Sequence, residues 1–149
     1  IGADGQVKWT DTIKNLVVTA GRNDLLDKYF AGSAYTAAWY MGLVDGATTP
    51  TYAAADTLAT HAGWTEFTSY SGSNRITVSW NAASAGSKAT TSTSFSISGS
   101  GTVAGALMTV TQAKATTTGV LYSAGNLTGG SRAVVSGDTL LVTYTAATS

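Results

Sequence analysis

Residues 63–80 run GWTEFTSYSGSNRITVSW, and their alternation sets the architecture expected of the whole chain. From Arg75 onward the pattern has a period of two. Ile76, Val78 and Trp80 point one way, and Arg75, Thr77 and Ser79 the other, as a strand with one buried face requires. Before the SGSN cluster at 71–74, Trp64, Glu66 and Thr68 alternate with Thr65, Phe67 and Ser69 in the same extended manner. The reading is an antiparallel pair of strands joined by a four-residue loop, with Trp64 and Trp80 anchoring the core at the far ends.

Working outward, the rest of the chain reads as further strands around this pair. Residues 34–44 set Trp39, Met41 and Leu43 against Ala38, Tyr40 and Gly42, apolar on both sides, so this strand is expected to be covered on both faces. Phe95 and Ile97 alternate with serines over 94–98. Residues 102–111 and 120–124 are two more strands, and 132–135 and 139–145 form a hairpin around Ser136, Gly137 and Asp138. Residues 16–19 are a short strand or an extended lead-in to one helix. That helix is expected to be capped by Asn23, with Asp24 in its first turn, Leu25, Leu26, Tyr29 and Phe30 on its apolar face and Gly32 at its end. Residues 50–61 are mostly connection, with a helical turn possible near 56–60. Seven to nine short strands with one N-terminal helix predict a mainly β fold, a jelly-roll or Greek-key β-sandwich, as a single domain over residues 16–149.

Residues 1–15 are aperiodic and interrupted by charges at Asp4, Lys8, Asp11 and Lys14. They are expected to form an arm that is ordered only by docking on a neighbouring subunit or a larger assembly, with Trp9 as its anchor.

The 149 residues carry no net charge, and only 11% are charged. Clustered Lys and Arg, the electrostatic footprint for nucleic acid, are missing, and no apolar run is long enough to cross a membrane. Without cysteine there are no disulfides and no thiolate metal sites. More than a quarter of the residues are Ser or Thr, which suits exposed β faces.

Sites of chemistry are hard to assemble from this sequence. Gly99, Gly101 and Ala104 fit the loose dinucleotide pattern, but strand-like residues follow where a helix N-terminus is needed, so they read as turn glycines. Asp56, His61 and Glu66 are close in sequence but match no ligand spacing for a metal. His61 has no nucleophile elbow to serve, and the acids form no facing pair for glycoside hydrolysis. No catalytic, cofactor or metal site is expected. Arg75 and Arg132 each open a strand, either to meet a partner's acidic loop or to block edge pairing. Asn126-Leu127-Thr128 fits the glycosylation acceptor pattern.

A longer series of motifs runs through the chain. It comprises LVVTAGRNDLLD (16–27), WYMGL (39–43), PTY (50–52), ADTL (55–58), HAGWTE (61–66), Arg75, GTVAGA (101–106), LYSAG (121–125) and SGDTL (136–140). Together it resembles a family of small virion structural proteins of tailed bacteriophages, over nearly the whole chain from Leu16. The resemblance implies a non-enzymatic capsid decoration, or cement, protein with a jelly-roll-like fold. Its partners would be the major capsid protein and further copies of itself as dimer or trimer. It would sit on the outside of the virion capsid after assembly in the host cytoplasm. Trp9, Ile13, Arg75 and Arg132 are the expected interface residues. Two other classes compete. A tail or tail-fibre module would present Tyr52, Trp64 and Tyr70 to a cell-surface glycan, and a small hydrolase would depend on His61 and Glu66.

Overall fold

The computed structural model describes residues 1–30 and 38–147. At its centre is β7 (Gly101–Thr109), buried from Val103 to Thr109 because other elements cover both of its faces. One edge of β7 pairs with β2 (Tyr40–Asp45) and the other with β8 (Leu121–Leu127), and β1 (Ile13–Val17) pairs with the far edge of β8. β3 (Glu66–Phe67) and β4 (Ile76–Thr77) follow one another along the outer edge of β2. β9 (Arg132–Val134) continues the line of β8 along β7. Two small sheets complete the fold: β6 (Thr93–Ser96) with β10 (Thr139–Val142), and β5 (Ser87–Ala89) with β11 (Thr145–Ala147). Among the described residues every ladder is antiparallel, and the single helix is α1 (Thr19–Phe30). The expected class, mainly β with one short helix, is present; this strand order does not establish jelly-roll wiring.

Two apolar clusters lie on opposite faces of the large sheet. Met41, Leu43, Val103 and Met108 meet Phe95, Ile97, Leu140 and Val142 from the β6 and β10 side, with Trp39, Trp80 and Tyr144 wedged edge to face at the rim. On the other face Val18, Val44, Leu107, Leu121 and Ala124 are covered by Leu58 and Trp64. β2 supplies both clusters, so it is covered on both faces as its apolar alternation predicts.

Residues 63–80 do not form a hairpin. Phe67 pairs with Leu43, and Ile76 pairs with Met41, so only Gly42 separates the two points along β2. Residues 68–75 leave the sheet opposite Gly42 and return, forming an excursion between two collinear short strands. Ile76, Val78 and Trp80 still face the first cluster as their alternation predicts. The 132–145 hairpin is also corrected: β9 pairs with β7 and β10 with β6, so 135–138 is a turn between sheets. Period two reports which side a residue faces but not which strand lies beside it.

The helix begins at Thr19, four residues before the expected cap, and the Val18 carbonyl accepts from the Arg22 N–H. Gly21 is its buried residue, packed on the Tyr122 backbone so closely that a Cβ would lie 2.5 Å from the Tyr122 carbonyl oxygen. Gly32 and residues 34–37 lie outside the described residues. No helical turn forms at 56–60.

Candidate contact surface

Arg75 is not at the surface. Its Nε and Nη2 each donate to a different carboxylate oxygen of Glu66 at 2.9 Å, and the two side chains are 1% and 5% exposed. Arg75 Nη1 donates to the Thr111 carbonyl, and the Ala115 N–H donates to Glu66 Oε2. This pair clamps the foot of the 68–75 excursion, and Gly42 leaves room for the carboxylate, since a Cβ there would stand 2.8 Å from Glu66 Oε1. Inside the excursion, Lys114 Nζ donates to the Thr68, Tyr70 and Gly72 carbonyls and lies 3.5 Å from the Tyr70 ring centre. Burial lowers the Lys114 pKa, opposed by the Glu66 charge. Arg75 therefore corrects from partner contact to internal clamp.

The residues considered for metal or catalysis are each engaged locally. Asp56 accepts from the Trp64 indole N–H and the Ala53 N–H. His61 stacks on Trp64 with ring centres 4.0 Å apart, its Nδ1 2.9 Å from the Trp64 carbonyl. Among the described residues no three of His, Cys, Asp and Glu gather as metal ligands. Gly101 opens β7 rather than a helix, as the turn reading predicts. Asn126 lies within β8, its amide accepting from the Tyr52 hydroxyl and donating to the Pro50 carbonyl, an enclosed position for a glycosylation acceptor.

Residues 1–12 take their order from this chain. Ile1 and Thr139 exchange two main-chain hydrogen bonds of 2.7 and 2.8 Å. Lys8 Nζ donates to both oxygens of Asp138 at 2.8 Å, and the Ala3 and Val135 N–H groups donate to the same carboxylate. The Lys8 hydrogen bond, followed by those main-chain donors, holds the Asp138 pKa below its ordinary value against the effect of burial. Asp11 accepts from Thr12 N–H, Thr128 Oγ1, Gly129 N–H and Arg132 Nη2, which lower its pKa too, led by the Thr12 N–H. Trp9 and Ile13 are half-buried against the first cluster, and the Arg132 guanidinium lies 5.7 Å from the Trp9 ring centre. The expected arm is thus corrected: contacts it was to find on another subunit are present within the chain, and Ile13 already belongs to β1.

Beneath this segment the two layers stand apart. A cleft of about 560 Å³ opens between Trp9, Ile13 and Asn15 on one side and Leu141, Val142 and Tyr144 on the other, with Met41, Leu43 and Ala106 on its floor. Two strand edges border it. Thr139 turns its N–H and C=O to Ile1, so by the antiparallel alternation Leu141 turns its own groups the same way, away from β6. On β1, Thr12 and Val18 bond to β8, which leaves the main chain of Ile13, Asn15 and Val17 pointing outward. Inside the cleft Asn15 Nδ2 and Ser123 Oγ both donate to the Tyr144 hydroxyl, whose pKa burial pushes up to about 12.

A second surface lies on α1. Leu25, Leu26, Tyr29 and Phe30 are 51%, 52%, 80% and 77% exposed. The sequence marked these four as one face, but the docking of Gly21 directs that face outward. Only the site of that glycine contact could have signalled the direction.

Comparison with protein-family models and with curated proteins gives no match.

Proposed function

We propose that the chain is a virion structural protein of a tailed bacteriophage, a decoration protein that bridges major capsid subunits on the outer face of the head. The motif series from Leu16 onward supports this reading, and the observation that carries it is the apolar cleft between two open strand edges. An edge strand accepts an extended segment through main-chain hydrogen bonds, while apolar pockets take its alternate side chains. An extended loop of the major capsid protein laid along β10 at Leu141 makes such a clamp. Many bound copies then share the load that packaged DNA puts on the head. Neither nucleic acid nor a membrane has a part in this contact, and no covalent chemistry is required of the protein.

The tail-fibre reading needs aromatic rings free to stack on sugar. Trp64 and Tyr70 are 5% and 2% exposed, so two of its three aromatics are unavailable, and Tyr52 is half-buried with its hydroxyl held by Asn126.

The test is mass spectrometry of purified particles together with binding of the isolated protein to heads lacking it. The expected copy number is comparable with that of the major capsid protein; a few copies per particle overturns the reading. Leu141→Pro removes the outward N–H of an exposed edge residue without touching the β6 ladder. It is expected to weaken head binding at least tenfold while the thermal unfolding midpoint stays within a few degrees.

A further inference from the structure

We infer that the outward face of α1 is a self-association surface on which two copies of this chain pack their helices antiparallel about a two-fold axis. In a helix on a monomeric domain, apolar residues face the core and polar ones face water. Here the order is inverted. Buried Gly21 and the half-buried, ion-paired Asp24 and Lys28 lie toward the domain, while Leu26 and Phe30, flanked by Leu25 and Tyr29, point away. Arg22, one turn earlier, is exposed and donates back to the Thr19 hydroxyl at the start of the helix.

The area fits a pair of copies. With aromatic side chains burying about 150–250 Å² each, the four residues expose on the order of 500 Å², toward the upper end of the largest apolar patch usual on a monomer. Two such faces together hide about 1,000 Å², the threshold for a specific interface. The pattern is also self-complementary, as a two-fold contact demands. Centred between Asp27 and Lys28, antiparallel helices set Leu25 opposite Phe30 and Leu26 opposite Tyr29, so each copy's leucines receive the other's rings. Zero net charge removes the repulsion that keeps like molecules apart.

For its purpose this rests on the decoration reading, since a dimer carries two clefts and can hold two capsid subunits at once. Its test is separate from that reading. Sedimentation velocity at up to about 100 µM, a range that covers weak interfaces of this size, is expected to show a species of twice 15.1 kDa. The Leu26→Glu/Tyr29→Glu double variant is expected to be monomeric with an unchanged circular dichroism spectrum. Because the chain lacks cysteine, Leu25→Cys and Phe30→Cys variants can report orientation. Mixed together they should form a disulfide-linked pair more readily than either alone. A monomer throughout, a trimer, a dimer indifferent to the double variant, or cross-linking within each single variant overturns the inference. Dimers that fail to bind heads overturn the decoration reading and leave this one standing.

Discussion

Glu66 and Arg75 are nine positions apart and neutralise one another at the foot of an eight-residue excursion. Removing one partner of a buried pair leaves the other charge without compensation, which costs about 3–5 kcal/mol, whereas replacing both with apolar residues is often close to neutral. Arg75→Met is therefore expected to lower the urea-unfolding free energy by about 3–5 kcal/mol. The Glu66→Leu/Arg75→Met double variant should recover most of that loss, and additive losses would show that the pair does not act as a unit. Within the same excursion, the Tyr70 ring packs at 90° on Phe95 while its buried hydroxyl has no hydrogen-bond partner. An unsatisfied buried hydroxyl costs about 1–3 kcal/mol. Tyr70→Phe keeps the ring contact and is expected to raise stability by about 1 kcal/mol; a loss in the same urea titration would mean that the hydroxyl has a partner after all.

Among the elements, the segment from Ile1 to Thr12 has the clearest dependence on conditions. Asp11 and Asp138 both have pKa values below 3.8 in the folded chain. Their stabilisation is in full above 3.8 and is lost as pH falls through the lower folded values. Hydrogen exchange, corrected for its intrinsic pH dependence, should show the Ala3, Gly129 and Val135 amides, which donate to these carboxylates, protected down to about pH 4 and released below it. Release beginning near neutrality would contradict these hydrogen bonds. Deleting residues 1–12 should likewise lower the unfolding midpoint, because it uncovers the cleft beneath Trp9. Sequence reading found the apolar character of Trp9 and Ile13 but not their partner, since the Ile1, Lys8 and Asp11 contacts span 117 to 138 positions. It found the two covered faces of β2 because a run apolar on both sides states its own environment. It missed the 68–75 excursion because a turn cluster between alternating runs looks the same whether the runs pair with each other or both with a third strand. The helix start was missed because Val18 and Thr19 are β-branched and read as extended, while the close seat of Gly21 on Tyr122 draws the first turn into the helix.

At the scale of the whole molecule, the absence of net charge governs how it meets other surfaces. Attachment that depends on apolar burial and main-chain pairing should change less than about threefold when NaCl rises from about 0.05 to 0.5 M, whereas clustered ion pairs would be screened. A steep salt dependence in a head-binding assay would point to a charged contact instead. One more consequence follows from the bond pair between Ile1 and Thr139. A ribosome adds about 5–20 residues each second, so Ile1 is made about 7–28 s before the residue that receives it, 138 positions later. Until then Ile1 and Lys8 lack the partners that hold them, Thr139 and Asp138. The N-terminal segment can therefore settle only after the turn at Asp138 and the start of β10 have emerged.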